Sequence, residues 1–240
     1  MYLGSKALSE LQRGEGEYSA EFQRARLVEI PNFLPPQDAD RLARFLSEQM
    51  PLDWWYASTR AGATTLPVDI RLTPGADTAI AAARAAATAA WQNSMFSYSF
   101  LRTKSHIAQC GCVLCATVAA LTSSDALELL ECITGVRVSG GSEFFASWYR
   151  PGDFLSSHRD VSRGRKLGMV LQLTRGWRPE FGGLLNFVTD RDDGVSKVIV
   201  PQFNSACLFD LPHPSGSPHF VSHVAPNVQA HRIAVSGWYV

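Results

Sequence analysis

The chain has 240 residues, of which 46% are hydrophobic, and its 22 Lys and Arg residues balance 22 Asp and Glu residues. This length is sufficient for a substantial core, and a net charge of zero argues against the strongly basic surface that non-specific nucleic-acid binding requires. The longest nearly uninterrupted apolar stretch in the middle of the chain, 112–121, is about half as long as a membrane-spanning helix. We therefore expect neither a nucleic acid nor a membrane as partner.

Residues 1–24 are polar and contain no apolar stretch typical of a secretory signal, so we expect a loosely docked N-terminal segment and a cytoplasmic location. The odd number of cysteines, five, in a chain of this length indicates reduced thiols rather than a disulfide framework. The sequence has no internal repeat and no low-complexity linker, and residues 25–240 are expected to form a single domain.

Helices are predicted in the first half of the chain, at about 36–50, 76–93 and 123–134, from apolar residues at helical spacing. The second is rich in Ala and has a high helix propensity, and the third begins with Ser and Asp as possible caps and stops at Gly135. These helices predict a helical support over about 36–135.

After residue 140 the sequence changes to short apolar or alternating segments that Gly, Pro, Asn and Asp separate, which is typical of β-strands. The predicted strands cover 143–149, 167–174, 183–188, 197–200, 206–211, 220–224 and 232–240. Helices followed by many closely spaced strands predict a mainly β protein, with an antiparallel sandwich or jelly-roll core at about 143–240 and the helices packed on one sheet.

His158 and Asp160 stand two residues apart, so in an extended segment both side chains point to the same side. With a distant histidine such as His223, two imidazoles and a carboxylate would leave open positions on a metal ion, which suits a non-haem Fe(II) centre. A turn histidine hydrogen-bonded to the aspartate is the commoner explanation of such a tripeptide, and both interpretations stay open at this point.

The last predicted strand begins with Arg232, which shares a face with Ala234, Ser236 and Trp238. A guanidinium followed on its own face by two small residues is expected to border a space that a small anionic molecule can occupy. The alternative is a surface arginine on an edge strand.

Five segments resemble the prolyl-4-hydroxylase-like 2-oxoglutarate/Fe(II) dioxygenases, and among them the cytosolic subgroup that includes ribosomal-protein prolyl hydroxylases. They read YRPGDFLSSHRD (149–160), LGMVLQLT (167–174), WRPEFGGLLNF (177–187), VIVPQFNSACLFDL (198–211) and SHVAPNVQAHRIAVSGWYV (222–240). The resemblance implies a double-stranded β-helix, the jelly-roll variant, that binds Fe(II), 2-oxoglutarate and O2.

By position, the resemblance implies that His158, Asp160 and His223 are the catalytic metal ligands and that Arg232 binds the far carboxylate of 2-oxoglutarate. His219 is the alternative third ligand, but the family spacing favours His223, which precedes an apolar residue and stands nine positions before Arg232. His219 is then expected at the rim of a loop.

Two further cosubstrate-binding residues are implied, Tyr149 and Trp238, although Trp238 is equally explained by core packing. Arg163 and Arg165 lie near the metal entrance in the sequence, where either could contact a substrate or simply be solvated.

The resemblance implies hydroxylation of an unactivated C–H bond with release of succinate and CO2, and the carboxylate at Asp160 favours hydroxylation over halogenation. The expected substrate is a prolyl residue in a protein or peptide. A free amino acid or a natural-product intermediate is the alternative substrate, and a non-catalytic jelly-roll binding or sensing module is the alternative function.

A second group of potential ligands lies outside these segments. Cys110, Cys112 and Cys115 have a spacing that could enclose zinc, with His106 or Cys132 as a fourth ligand. No second pair of cysteines follows at zinc-ribbon spacing, so reduced and partly buried thiols are the preferred interpretation.

Overall fold

The computed structural model of the protein describes residues 15–105, 110–160, 162, 164–189, 194–211 and 218–240. Two of the residues singled out in the sequence, His106 and Arg163, lie outside this part of the chain.

The helices that precede the C-terminal strands form a layer on one side of a sheet. They are α1 (Glu15–Ala25), α2 (Pro36–Arg44, continued by a π-helical turn at Phe45–Gln49), α3 (Asp77–Gln92), α4 (Val113–Leu121) and α5 (Ser124–Thr134). The three predicted helices are confirmed. At α5 the hydroxyl of Ser123 accepts a hydrogen bond from Ala126 N at 3.4 Å, and Gly135 ends the helix with a φ of 70°.

The expectation of a loose segment up to residue 24 is wrong for residues 15–24, which belong to α1. Phe22 is completely buried in the core, and the amide Nε2 of Gln23 donates to the carbonyl oxygen of Thr134 at 3.1 Å. One aromatic residue therefore anchors a helix whose average composition is polar.

The described residues contain twelve β-strands, numbered here in chain order. They are β1 (Leu27–Ile30), β2 (Trp55–Ala61), β3 (Val68–Arg71), β4 (Ser97–Thr103), β5 (Gly141–Tyr149), β6 (Phe154–His158), β7 (Leu167–Gln172), β8 (Leu185–Val188), β9 (Val195–Ile199), β10 (Ser205–Asp210), β11 (His219–Val221) and β12 (Arg232–Tyr239). Strands β2 to β4 lie in the region predicted as helical support, and β6 was not predicted as a strand.

The strands form one antiparallel sheet in the order β1-β10-β7-β12-β5-β4-β6-β11-β8-β9, and β2 and β3 continue from β4. The sheet curls so that one face encloses an aromatic cluster while the other face packs on the helices. This confirms the predicted mainly β, jelly-roll core supported by N-terminal helices.

Strand β12 shows how the sequence pattern serves both faces. Ile233, Val235 and Tyr239 are buried on the helix side, whereas Arg232 and Trp238 line the interior of the curl. The predicted division of this strand into two faces is confirmed, and it decides which side chains can reach the site.

No single helix in the described part of the chain is long and apolar enough to cross a membrane. The pair α4 and α5 meets that length and composition only when taken together, across a bend of 53°.

Candidate metal centre

Three potential metal ligands converge inside the curled sheet. His158 ends β6, Asp160 follows two residues later, and His219 begins β11 directly opposite His158 in the antiparallel pair. The Nε2 atoms of His158 and His219 lie 3.4 and 3.5 Å from the two carboxylate oxygens of Asp160, and the imidazole rings are 4.3 Å apart. One ligand atom from each residue lies within 4.8 Å of the others, which fits a single ion.

The prediction of His223 as the third ligand is corrected by this geometry, because His219 takes its place. The ring of His223 stacks on Phe154 with centroids 4.1 Å apart and lies 4.4 Å from the ring of Trp91. His219 is not a rim residue: it is only 5% exposed and packs against Phe209. Two histidines four residues apart share a face, and the spacing to Arg232 does not reveal which of them is paired with β6.

The carboxylate of Asp160 is held in its ionised form. Burial raises its pKa, but hydrogen bonds with His158 and His219 outweigh burial and bring the pKa far below its ordinary value. The indole Nε1 of Trp238 also donates to Oδ2 of Asp160 at 3.0 Å. A charged carboxylate beside two imidazoles is the donor set that a divalent transition metal requires.

The ring of His158 is oriented by the backbone. Its Nδ1 lies 3.1 Å from the carbonyl oxygen of Ser156, and a carbonyl oxygen only accepts hydrogen bonds. Donation from Nδ1 places the lone pair of the neutral ring on Nε2, the atom that faces Asp160.

Arg232 brings a buried positive charge to the same cavity. It is 1% exposed, stands opposite Tyr149 in the pairing of β12 with β5, and holds its guanidinium carbon 4.6 Å from the Tyr149 ring centroid. Burial lowers its pKa to about 10. In the part of the chain that the structure describes, its Nε has no hydrogen-bond acceptor. Because a buried guanidinium with an unpaired N–H group is costly, the arrangement indicates a site for an anion in the cavity.

The cavity has a volume of about 230 Å³ and is lined by both histidines, Asp160 and Arg232. Seven aromatic side chains form part of the remaining wall: Phe96, Tyr98, Phe100, Phe145, Tyr149, Phe209 and Trp238. Tyr98, Phe100 and Arg102 come from β4, which was not predicted, although their alternation along SYSFLRT is a strand pattern that marks them as one face.

Tyr149 and Trp238 both line the cavity, as expected for residues beside a bound molecule. Burial raises the pKa of Tyr149 above its ordinary value, so its phenol stays protonated and able to donate a hydrogen bond. Arg165 stacks on the other side of Trp238, with its guanidinium carbon 3.7 Å from the ring centroid.

A buried aspartate fixes the turn between β5 and β6, a role that was not evident from the sequence. Asp153 accepts from the backbone N of Arg150 at 2.9 Å and from the hydroxyl of Ser99 at 3.1 Å. Its carboxylate also lies 3.6 Å from Arg84. Arg150 therefore turns toward Asp153, and the residue before it, Tyr149, points into the cavity.

The Gly182-Gly183 pair lets β8 approach the cavity wall. A Cβ atom at Gly183 would lie 2.8 Å from Cδ of Arg232, and its φ of +61° favours glycine.

Comparison with known proteins identifies relatives of the C-terminal half. Residues 144–240 match the family described as the 2OG-Fe(II) oxygenase superfamily. The prolyl 3-hydroxylase OGFOD1 of Mus musculus is 26% identical over 115 residues, which cover 46% of this chain and 20% of that protein. The chain thus spans about a fifth of the length of this relative.

Solved structures share the fold over almost the whole chain. A prolyl-4-hydroxylase of Pseudomonas putida superimposes with a TM-score of 0.61 at 18% identity, covering 94% of this chain and 98% of that one. A prolyl hydroxylase of Trichoplax adhaerens, solved with a peptide fragment of hypoxia inducible factor, superimposes with a TM-score of 0.63 at 18% identity, covering 98% and 92%.

Proposed function

We propose that the chain is a prolyl-4-hydroxylase-like 2OG-Fe(II) oxygenase that hydroxylates a prolyl residue in a protein or peptide, with release of succinate and CO2. The match of residues 144–240 to the 2OG-Fe(II) oxygenase superfamily agrees with the resemblance found in the sequence, with the expected dioxygenase class and with its cofactors Fe(II), 2-oxoglutarate and O2.

His158, Asp160 and His219 would hold the iron. When bound, Fe(II) would supply the redox chemistry by which a substrate C–H group, O2 and 2-oxoglutarate are converted into a hydroxylated substrate, succinate and CO2. The donor set fits this ion, because two imidazole nitrogens and one carboxylate converge and leave other coordination positions for the cosubstrates.

Arg232 would pair with the far carboxylate of 2-oxoglutarate through two charge-assisted hydrogen bonds. The single observation that carries the proposal is that this buried guanidinium, whose Nε has no acceptor in the described part of the chain, lines the same cavity as the three ligands. The phenol of Tyr149 is placed beside the guanidinium as a further donor, and the aromatic walls exclude water from the reacting groups.

An apolar surface beside the cavity supports a peptide substrate. Phe96 lines the cavity, and its neighbour Met95 is 47% exposed. The backbone N of Gly62 donates to the carbonyl oxygen of Phe96 at 2.9 Å, which joins β4 to the β2–β3 hairpin that carries Leu66, 82% exposed. A hydrophobic surface next to a catalytic cavity suits a chain segment better than a small hydrophilic amino acid.

The metal assignment is tested by a matched pair of variants, His219→Ala and His223→Ala. Fe(II) and 2-oxoglutarate are added to each protein without oxygen, and the visible charge-transfer absorption of the chelate is measured together with the bound iron. The parent protein and His223→Ala are expected to show the band, whereas His219→Ala loses both the band and the iron. The opposite result for the two variants would restore His223 as the ligand, and no band in the parent would favour a non-catalytic binding module.

The substrate is tested by coupling two measurements, succinate release and a mass increase of one oxygen atom on the substrate. Proline-containing peptides are compared with matched peptides in which alanine replaces proline, and with free amino acids. Oxygen incorporation only into the proline-containing peptides is expected. Incorporation into a free amino acid, with none into peptides, would replace the prolyl substrate by a small molecule.

A further inference from the structure

Three cysteine sulfurs meet at the beginning of α4, away from the cavity-lining residues. The Sγ atom of Cys110 lies 2.9 Å from that of Cys112 and 2.8 Å from that of Cys115. All three sulfurs lie within 4.8 Å of one another, and they form the second group of metal-ligand side chains in the described part of the chain. The sequence alone favoured reduced and partly buried thiols over a zinc site, and the structure brings their sulfur atoms together.

Local backbone geometry creates this convergence. Gly111 has a φ of +68°, a conformation that favours glycine and turns the chain between Cys110 and Cys112. Cys112 is the N-cap of α4, and its sulfur accepts a hydrogen bond from the backbone N of Cys115 at 3.4 Å. Cys112 and Cys115 are three residues apart at the first helical turn, so their side chains face the same side.

The environment of the cluster suits negative charge. The N-terminus of α4 presents backbone N–H groups and the positive end of the helix dipole, which stabilise thiolates.

We propose that Cys110, Cys112 and Cys115 bind one Zn²⁺ ion as three thiolates. Binding releases the thiol protons to solvent, and the charge of the ion compensates the three sulfurs at close range. Soft thiolate ligands select Zn²⁺ over the Fe(II) that the imidazole and carboxylate centre suits. A disulfide would use only two of the three sulfurs and would leave the third without a role.

The fourth coordination position is open to a ligand outside the three cysteines. Cys132 on α5 is exposed and is not part of the cluster, and His106 lies outside the described residues. The three cysteines therefore define the proposed site.

The location suggests what the ion stabilises. The cluster joins the turn at Gly111 to the first turn of α4, whose Leu114 and Leu121 are buried in the core. A metal ion at this point would fasten the start of α4.

The test uses the reduced full-length protein and Co²⁺ as a spectroscopic substitute for Zn²⁺. Thiolate-to-cobalt charge transfer absorbs in the near ultraviolet, and imidazole and carboxylate ligands do not produce this band. The parent protein is expected to bind two equivalents of Co²⁺ and to show the band. Cys110→Ser should lose the band and one equivalent, while the matched control Cys132→Ser keeps both.

His219→Ala separates this proposal from the proposed oxygenase function. This variant is expected to lose the Co²⁺ equivalent bound at the imidazole and carboxylate centre and to keep the thiolate band. Failure of metal binding at one site can therefore be distinguished from failure at the other. The proposal is overturned if the parent shows no thiolate band, if Cys110→Ser retains it, or if Cys132→Ser loses it.

A second measurement does not depend on the folding of a variant. The parent protein is alkylated at its thiols with and without Zn²⁺, and the modified cysteines are mapped by mass spectrometry. Zn²⁺ should protect Cys110, Cys112 and Cys115 and leave the exposed Cys132 reactive. Equal modification of all exposed cysteines in both samples would also contradict the site.

Discussion

The protein gathers potential metal ligands in two regions that are built in different ways. His158, Asp160 and His219 come from two paired strands inside the curled sheet, whereas Cys110, Cys112 and Cys115 lie within one turn at the start of α4. The first group offers nitrogen and oxygen, and the second offers only sulfur. Donor chemistry and construction therefore differ together, because the sheet positions the imidazole and carboxylate group and local backbone geometry positions the thiol cluster.

The two regions also differ in what surrounds them. The strand-built centre shares an aromatic-lined cavity with a buried arginine, while Cys110 before the helix start is exposed. A cavity with an anion-binding group is suited to turnover, and a cluster of thiols at a helix start is suited to a structural ion. Substitutions in one region should therefore leave the metal of the other region in place.

The largest effect is expected for Asp160→Asn, which removes the negative charge from the strand-built centre. Iron affinity should fall at least about 100-fold, because even partners that only support a metal ligand contribute about 10- to 100-fold. Iron retained after gel filtration measures the change, and the thiolate-to-cobalt band is the internal control. Iron retention equal to that of the parent would remove Asp160 from the ligand set.

A smaller loss is expected for Trp238→Phe, which deletes the indole donor to Asp160 and keeps an aromatic face for Arg165. Iron affinity should weaken about 30-fold, within the range for a residue that orients a metal ligand. The matched control is Trp148→Phe, because the buried Nε1 of Trp148 has no hydrogen-bond partner among the described residues. Equal effects of the two substitutions would show that Trp238 acts through packing alone.

Gly183→Ala is expected to disturb the cosubstrate without removing the metal. The added methyl group would lie 2.8 Å from Cδ of Arg232 and displace the guanidinium, so affinity for 2-oxoglutarate should fall about 10-fold, or about 1.4 kcal/mol. Gly176→Ala is the control, since Gly176 has a similar φ, +63° against +61°, and a Cβ atom there would meet nothing within 4 Å. The affinity for 2-oxoglutarate is measured by titration in the presence of a redox-inert metal, and it should be lower in Gly183→Ala than in Gly176→Ala. Equal losses of affinity in the two variants would indicate backbone strain as the cause.

The smallest effect is a pH dependence set by Arg232. Its pKa of about 10 in the free protein means that the guanidinium is charged below this pH and loses its charge above it. Affinity for 2-oxoglutarate should therefore be constant near pH 8 and fall about twofold by pH 10, because half of the arginine is then neutral. The keto acid 2-oxobutyrate lacks the far carboxylate and should show no such change, and identical profiles for both acids would exclude Arg232 as the carboxylate partner.

The C-terminal strands and the two faces of β12 could be predicted because alternation with a period of two is a local property of the sequence. Arg232 and Asp160 were recognised on this basis and through the resemblance of their segments to a family. The strands β2 to β4 were missed because they lie between helices in the sequence. The helix α1 was missed because its one fully buried residue, Phe22, does not change the polar average composition of the N-terminal segment.

The choice between His219 and His223 shows where local reasoning ends. Both residues stand on the same predicted strand face, and the favoured candidate, His223, packs against Phe154 instead of joining the centre. Only the pairing of β11 with β6 places His219 opposite His158. The register between two strands depends on contacts with distant parts of the chain, so the spacing of residues along one segment does not specify it.

By itself, the sequence indicated the resemblance to a family, the jelly-roll architecture and the chemical types of the ligands, because these follow from motifs and short-range periodicity. The tertiary structure decided which histidine completes the centre, that Arg232 is buried beside it, and that three cysteine sulfurs converge at α4. These outcomes depend on strand register, burial and backbone turns in three dimensions, which bring together atoms whose distances the linear order of residues does not specify.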